Sequence, residues 1–247
     1  MTPIADAVER VRAAPAPVLI VDTRNFLDLF RTDHGRRTDV EELKAAATVS
    51  QLLTVSESAL HLIVPELIPR EFGDNADSDV GQPFRTWLDK HNENHLWLMT
   101  AGKVVGIEFP PHNPLVPLDV QIHFRGFAEQ LLATAIVLAR DADCVLRAVE
   151  RVIVKKRPSH KNHLKDSMNL EQALEFGRRL HLQGPFPYPL CFISSNRNDF
   201  AEPSGTQIHP ELKAEFDAAG LVYLPHLRDS RKYLPKIEPP TESTVSN

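Results

Sequence analysis

Four short apolar runs constrain this chain more than any other feature. They are Pro17–Val21 (PVLIV), Leu60–Val64 (LHLIV), Leu190–Ile193 (LCFI) and Leu221–Leu224 (LVYL). Each is apolar almost throughout and partly β-branched, the pattern of a strand covered on both faces rather than one. Segments with helical apolar spacing lie between them: Val40–Leu53, Phe124–Arg140, Asp143–Val154, Asp166–Leu182 and Pro210–Ala219, the last followed by Gly220 as a stop. Strands alternating with helices predict right-handed crossovers and an α/β fold, with a mostly parallel central sheet between helical layers. In such sheets ligands bind beyond the carboxyl ends of the strands.

The chain has 247 residues, enough for one large domain or two small ones. The spread of strands predicts one domain over 1–234, interrupted by an irregular insertion at about 72–117. Within it, Trp97–Met99 and Val104–Phe109 flank Thr100-Ala101-Gly102 as a small hairpin would, and Phe109–Pro117 (FPPHNPLVP) is too rich in proline for a helix. Residues 235–247 have the composition of a disordered tail. Two cysteines, Cys144 and Cys191, form neither a disulfide framework nor a four-thiolate zinc site. The longest strongly apolar stretch, Leu131–Ala139, is too short to span a bilayer, and the opening MTPIADAVERVRAAPAP lacks the apolar core of a signal peptide. These features predict a cytoplasmic protein with no membrane partner. A net charge of -5 argues against a generic nucleic-acid coat protein but leaves room for a local basic patch.

Carboxylates cluster where the strands end. The first strand runs into Asp22-Thr23, the second into a segment holding Glu66 and Glu71, and the third into Ser194-Ser195-Asn196-Arg197-Asn198-Asp199-Phe200. Asp166 opens the helix before the third strand. Parallel strands bring Asp22, Glu71 and Asp199 to one sheet edge, with Asp166 near it. Converging carboxylates repel unless a cation neutralises them, and oxygen-only donors select Mg²⁺ or Mn²⁺ over zinc. That chemistry suits phosphodiester hydrolysis. Each acid also has a local explanation as a helix cap, a first-turn acid or a turn residue.

The segments VLIVDTRNFLDLF (Val18–Phe30), LHLIVPELIPREFGD (Leu60–Asp74), LKDSMNLEQALEF (Leu164–Phe176) and CFISSNRNDF (Cys191–Phe200) together resemble the PIN-domain nucleases, especially the longer bacterial PIN-like proteins. The ending IHPELKAEFDAAGLVYLPHL (Ile208–Leu227) is similar to the closing helix and strand of that family. The likeness covers under half of the chain. It implies a three-layer α/β/α sandwich and a metal-dependent endoribonuclease acting on RNA with Mg²⁺ or Mn²⁺. Matched position by position, it makes Asp22, Glu71, Asp166 and Asp199 the catalytic, metal-holding acids. Thr23, Ser194 and Asn196 become the polar groups around them. It also admits an inhibitor protein and a homodimer as partners. Departures exist: the family often has Asn directly after Asp-Thr, where this chain has Arg24, and Glu66 and Glu171 compete with Glu71 and Asp166 for their roles. A catalytically inactive PIN-like module that binds RNA or protein is therefore the alternative.

Arg147–Lys165 carries Arg147, Arg151, Lys155, Lys156, Arg157, Lys161 and Lys165 against a single Glu150, and leads into Asp166. Phosphate contacts need such charges, so Arg157, Lys161 and Lys165 are the candidate nucleic-acid-binding residues. Other chemistries find less support. His91 and His95 share a helical spacing but lack further zinc ligands nearby. No Gly-x-Ser-x-Gly or Gly-x-Gly-x-x-Gly occurs. An aspartyl-phosphate phosphatase needs a second Asp two residues after the first, and Arg24 stands there.

Overall fold

The computed structural model describes residues 1–31, 39–55, 59–107, 120–159 and 164–236. Five strands form one wholly parallel sheet in the order β3-β2-β1-β4-β5. They are β1 (Val18–Val21), β2 (His61–Val64), β3 (Ile136–Val137), β4 (Leu190–Ile193) and β5 (Leu221–Leu224). Four are the runs marked in the sequence, within a residue at their ends. The register sets Leu19 beside Leu62 on one side and beside Cys191 on the other.

Alternate strand residues point to opposite faces, and each face has its own core. Val18, Ile20, Ile63, Phe192 and Tyr223 pack under α1 (Ile4–Ala13), α8 (Leu164–Leu182) and α10 (Pro210–Ala219). Leu19, Val21, Leu62, Val64, Cys191 and Leu224 pack under α2 (Thr23–Leu27), α3 (Val40–Val55), α4 (Ile68–Asn75) and α6 (Val120–Ala133). The result is a three-layer α/β/α sandwich, as the alternating pattern predicted. The final helix–strand turn also follows expectation, with Gly220 left-handed at φ 64°.

Two expectations are corrected. The region from residue 72 to 107 is regular: α4 continues through a π-helical turn, Ala76–Gly81, into α5 (Gln82–Val104). The part of the expected hairpin from Trp97 to Val104 is therefore helix. Phe84 and Leu88, four residues apart, bury one side of α5, and the helix carries on through Leu, Met, Ala and Lys, all good helix formers. Gly106, at φ 78°, follows its end. The rest of the expected insertion, 108–117, lies outside the described residues, as does the tail from 237. Second, the Phe124–Arg140 helix stops at Ala133, and Ile136–Val137 pairs with Ile63 and Val64 as edge strand β3. The opening segment, given no element in the sequence reading, forms α1, whose Ile4, Ala7, Val8 and Val11 recur at helical spacing and are buried. α7 (Ala142–Ile153) and a closing 3₁₀ helix, Leu227–Tyr233, complete the described fold, with the short α9 (Arg197–Phe200) after β4. Among the described residues no helix is long and apolar enough to cross a membrane.

Candidate functional site

Strand order decides where the site forms. The chain leaves β1 to build β2 and β3 on one side, then returns to lay β4 on the other. The carboxyl ends of β1 and β4 thus flank the point where the winding reverses, the expected ligand crevice of an open parallel sheet. A cleft of about 510 Å³ opens there, lined by Asp22, Thr23, Arg24, Leu27, Arg31, Glu71, Asn75, Leu164, Lys165, Asp166 and Asn196.

Asp22 sits at its base, 7% exposed. The Thr23 backbone N–H donates to Oδ1 at 2.8 Å and the Ser194 hydroxyl to Oδ2 at 2.6 Å. The Tyr223 hydroxyl donates to the Ser194 carbonyl at 2.9 Å, which anchors the end of β4 to β5. Burial raises the Asp22 carboxyl to about 7 against the lowering effect of the Ser194 bond, and the charges of Asp166 and Glu71 push it the same way. Glu71, in the first turn of α4, accepts from Thr23 Oγ1 at 2.7 Å and from Asn169 Nδ2 at 3.4 Å. Burial raises its pKa also, while Lys165 acts in the opposite direction. Asp166, in the first turn of α8, completes the trio.

The other expected residues divide. Thr23, Asn196 and Lys165 line the cleft, and Ser194 holds Asp22 from behind. Asp199 stands one step back. It is buried in α9, outside the lining, and its Oδ2 accepts from Asn196 Nδ2 at 2.6 Å, so it fixes the amide that faces the cleft. The two competing glutamates have partners elsewhere. Glu66 is paired with Arg140 at 2.9 Å. Glu171, 3% exposed at its side chain, bonds Arg147 at 2.8 Å and also Arg151. Neither lines the cleft.

Much of the basic strip is likewise paired. Arg147 and Arg151 are tied to Glu171, Glu175 and Glu215, and Lys156 bonds Glu215. These acids lie on α8 and α10, out of sight of a local reading of charge. Arg157 donates to the Asn198 carbonyl at 2.6 Å rather than reaching the cleft. Lys161 lies outside the described residues. Missed in the sequence were Arg31, Asn75 and Asn169. The first had a signal: Arg24, Leu27 and Arg31 follow the spacing of one helical face.

Both thiols are buried and pushed up to about 12, which leaves them no nucleophilic role. For a divalent cation, Asp22, Glu71 and Asp166 are the right kind of donor: the charges of Asp166 and Glu71 raise the pKa of Asp22, that of Asp166 raises the pKa of Glu71, and positive charge would relieve both. Among the described residues, no three His, Cys, Asp or Glu side chains stand together closely enough to grip one ion as placed. Comparison with protein-family models, characterised proteins and solved structures gives no match.

Proposed function

We propose that the cleft hydrolyses phosphodiester bonds in RNA with the help of Mg²⁺ or Mn²⁺, as a PIN-like endoribonuclease. The observation that carries the reading is the junction of Asp22, Glu71 and Asp166, from three separate segments, in one cleft at the reversal of the sheet. A bound divalent cation supplies Lewis acidity to such a reaction. Asp22, Glu71 and Asp166 would hold it. Ser194 and the Thr23 N–H fix the Asp22 oxygens, and Thr23 Oγ1 with Asn169 fixes Glu71, so these two acids are oriented before any ligand arrives. Asn196, held by Asp199, presents a polar group to the same space. Arg24 and Lys165 bring positive charge to the cleft for an anionic ligand. We place this activity in the cytoplasm, in keeping with two free, buried thiols.

The spacing of the acids favours a second reading, a module that binds RNA without cutting it, because no three of them form a ready ligand group. One experiment separates the two. A mixed RNA pool is incubated with wild-type protein and Asp22→Asn, in Mn²⁺, Mg²⁺ or EDTA, with folding checked by circular dichroism. Metal-dependent cleavage that disappears in the variant supports the nuclease. RNA retained but intact in every lane supports the binding module.

A further inference from the structure

We propose that the outward face of α7 joins two copies of this chain, the two helices lying antiparallel across a twofold axis beside Val149. The inference stands apart from the chemistry of the cleft, which α7 does not line.

α7 has two unlike faces. The inner one carries Cys144, Ala148 and Arg151, all buried, and meets α8. The outer one carries Ala142, Val145, Leu146, Val149, Val152 and Ile153, at the three- and four-residue spacing of a seam between helices. Leu146 is 67% exposed, Val149 38% and Ile153 74%. A helix face that meets only water is normally polar or charged. Here four of the six residues are β-branched, which weakens a helix in water and suits one that packs.

Symmetry, charge and topology say what covers this face. Reversal about Val149 sets Leu146 against Val152 of a second copy and Val145 against Ile153, so the stripe is its own complement. The two ends of α7 differ in sign. Asp143 lies in the first turn, and Lys155 lies just past the last one. Among the described residues neither side chain has an ion-pair partner. Antiparallel pairing brings Asp143 of each copy to the Lys155 end of the other, whereas a parallel pair sets like charges together. The chain itself offers no good occupant. Residues 237–247 hold only Ile237 and Val245 as large apolar groups. Residues 108–119 join α5 to α6, and α6 packs on the opposite face of the sheet from α7. One short helix from each copy buries less than a standard interface of about 800 Å² per partner, so the pair should be weak, with a dissociation constant in the micromolar range.

The test is sedimentation equilibrium of the full chain between about 5 and 500 µM. The mass should rise from that of one chain toward that of two. Leu146→Glu and Ile153→Glu, both at exposed positions, should each keep the mass of one chain throughout. Leu96→Glu, at an exposed apolar position on α5, should associate like wild type. At about 50 mM salt, Asp143→Lys should weaken the pair roughly tenfold, because it turns two attractive contacts repulsive, and adding Lys155→Asp should recover most of the loss. Circular dichroism confirms the fold of each variant. A single-chain mass for wild type at every concentration overturns the proposal. So does association that persists in folded Leu146→Glu and Ile153→Glu. A double charge exchange that fails to recover overturns the antiparallel seating.

Discussion

Replacing Asp22 by Asn should stabilise the metal-free protein at pH 8 and do little at pH 4. The folded carboxyl is raised from 3.8 to about 7, chiefly by burial. A raised acid binds its proton more tightly when folded, so the fold carries no penalty from this group below pH 4, where both states are protonated. The penalty grows as pH rises from about 4 to 7 and is complete above that. A difference of roughly three pH units corresponds to about 4 kcal/mol. Asn removes the buried charge but disturbs the 2.6 Å bond from Ser194, a loss of about 1 kcal/mol. The net gain of about 3 kcal/mol should raise the unfolding midpoint by about 6–12 °C for a chain of this size. Circular dichroism melts of both proteins in EDTA, at pH 4 and pH 8, give the comparison directly. Glu42 is likewise raised to about 7 by burial, but it is present in both proteins and cancels in the difference. A variant that melts at or below the wild-type temperature at pH 8 would refute the argument that burial of this charge strains the fold.

Three further outcomes are expected. Millimolar Mn²⁺ at pH 8 should raise the wild-type melting temperature by about 3–5 °C at tenfold excess over its dissociation constant. That rise should be lost in Asp22→Asn and retained in Asp199→Asn, because Asp199 serves Asn196 and does not line the cleft. Arg151→Ala should cost about 3–5 kcal/mol in urea unfolding, since it strips a partner from the buried Glu171 and another from Glu215. Gly177→Ala should cost about 1–3 kcal/mol in the same assay: a Cβ there would lie 2.4 Å from the Ala219 carbonyl oxygen, which belongs to backbone and cannot swing aside.

Strand and helix order was legible because four strands are buried on both faces and so announce themselves as apolar runs. β3 was hidden because it has only two residues and follows the apolar end of α6. α5 was misread as a hairpin because its exposed Trp97, Leu98 and Val104 resemble strand residues when their neighbours are ignored. At the site, Asp22, Glu71 and Asp166 could be placed together because strand direction alone brings their segments to one edge. Asp199 could not be separated from them, since a single turn of helix decides whether its carboxyl faces the cleft or its own neighbour. The basic residues after α7 misled for a different reason. Sequence displays a charge but not its partner, and Glu171 and Glu215 stand 20 and 64 residues from Arg151.

The reversal of winding at β1 also imposes a timetable. Ser194 meets Asp22 across 172 residues of chain. A growing chain that has emerged as far as β3 already carries Asp22 and Glu71, but neither Asp166 nor the strand that encloses the first acid. At 5–20 residues per second, synthesis from Asp22 to Ser194 takes roughly 9–34 s. Throughout that interval Asp22 lacks its Ser194 bond and the β4 wall. The cleft comes into being only when the second half of the sheet docks, so an unfinished or truncated chain is born without it.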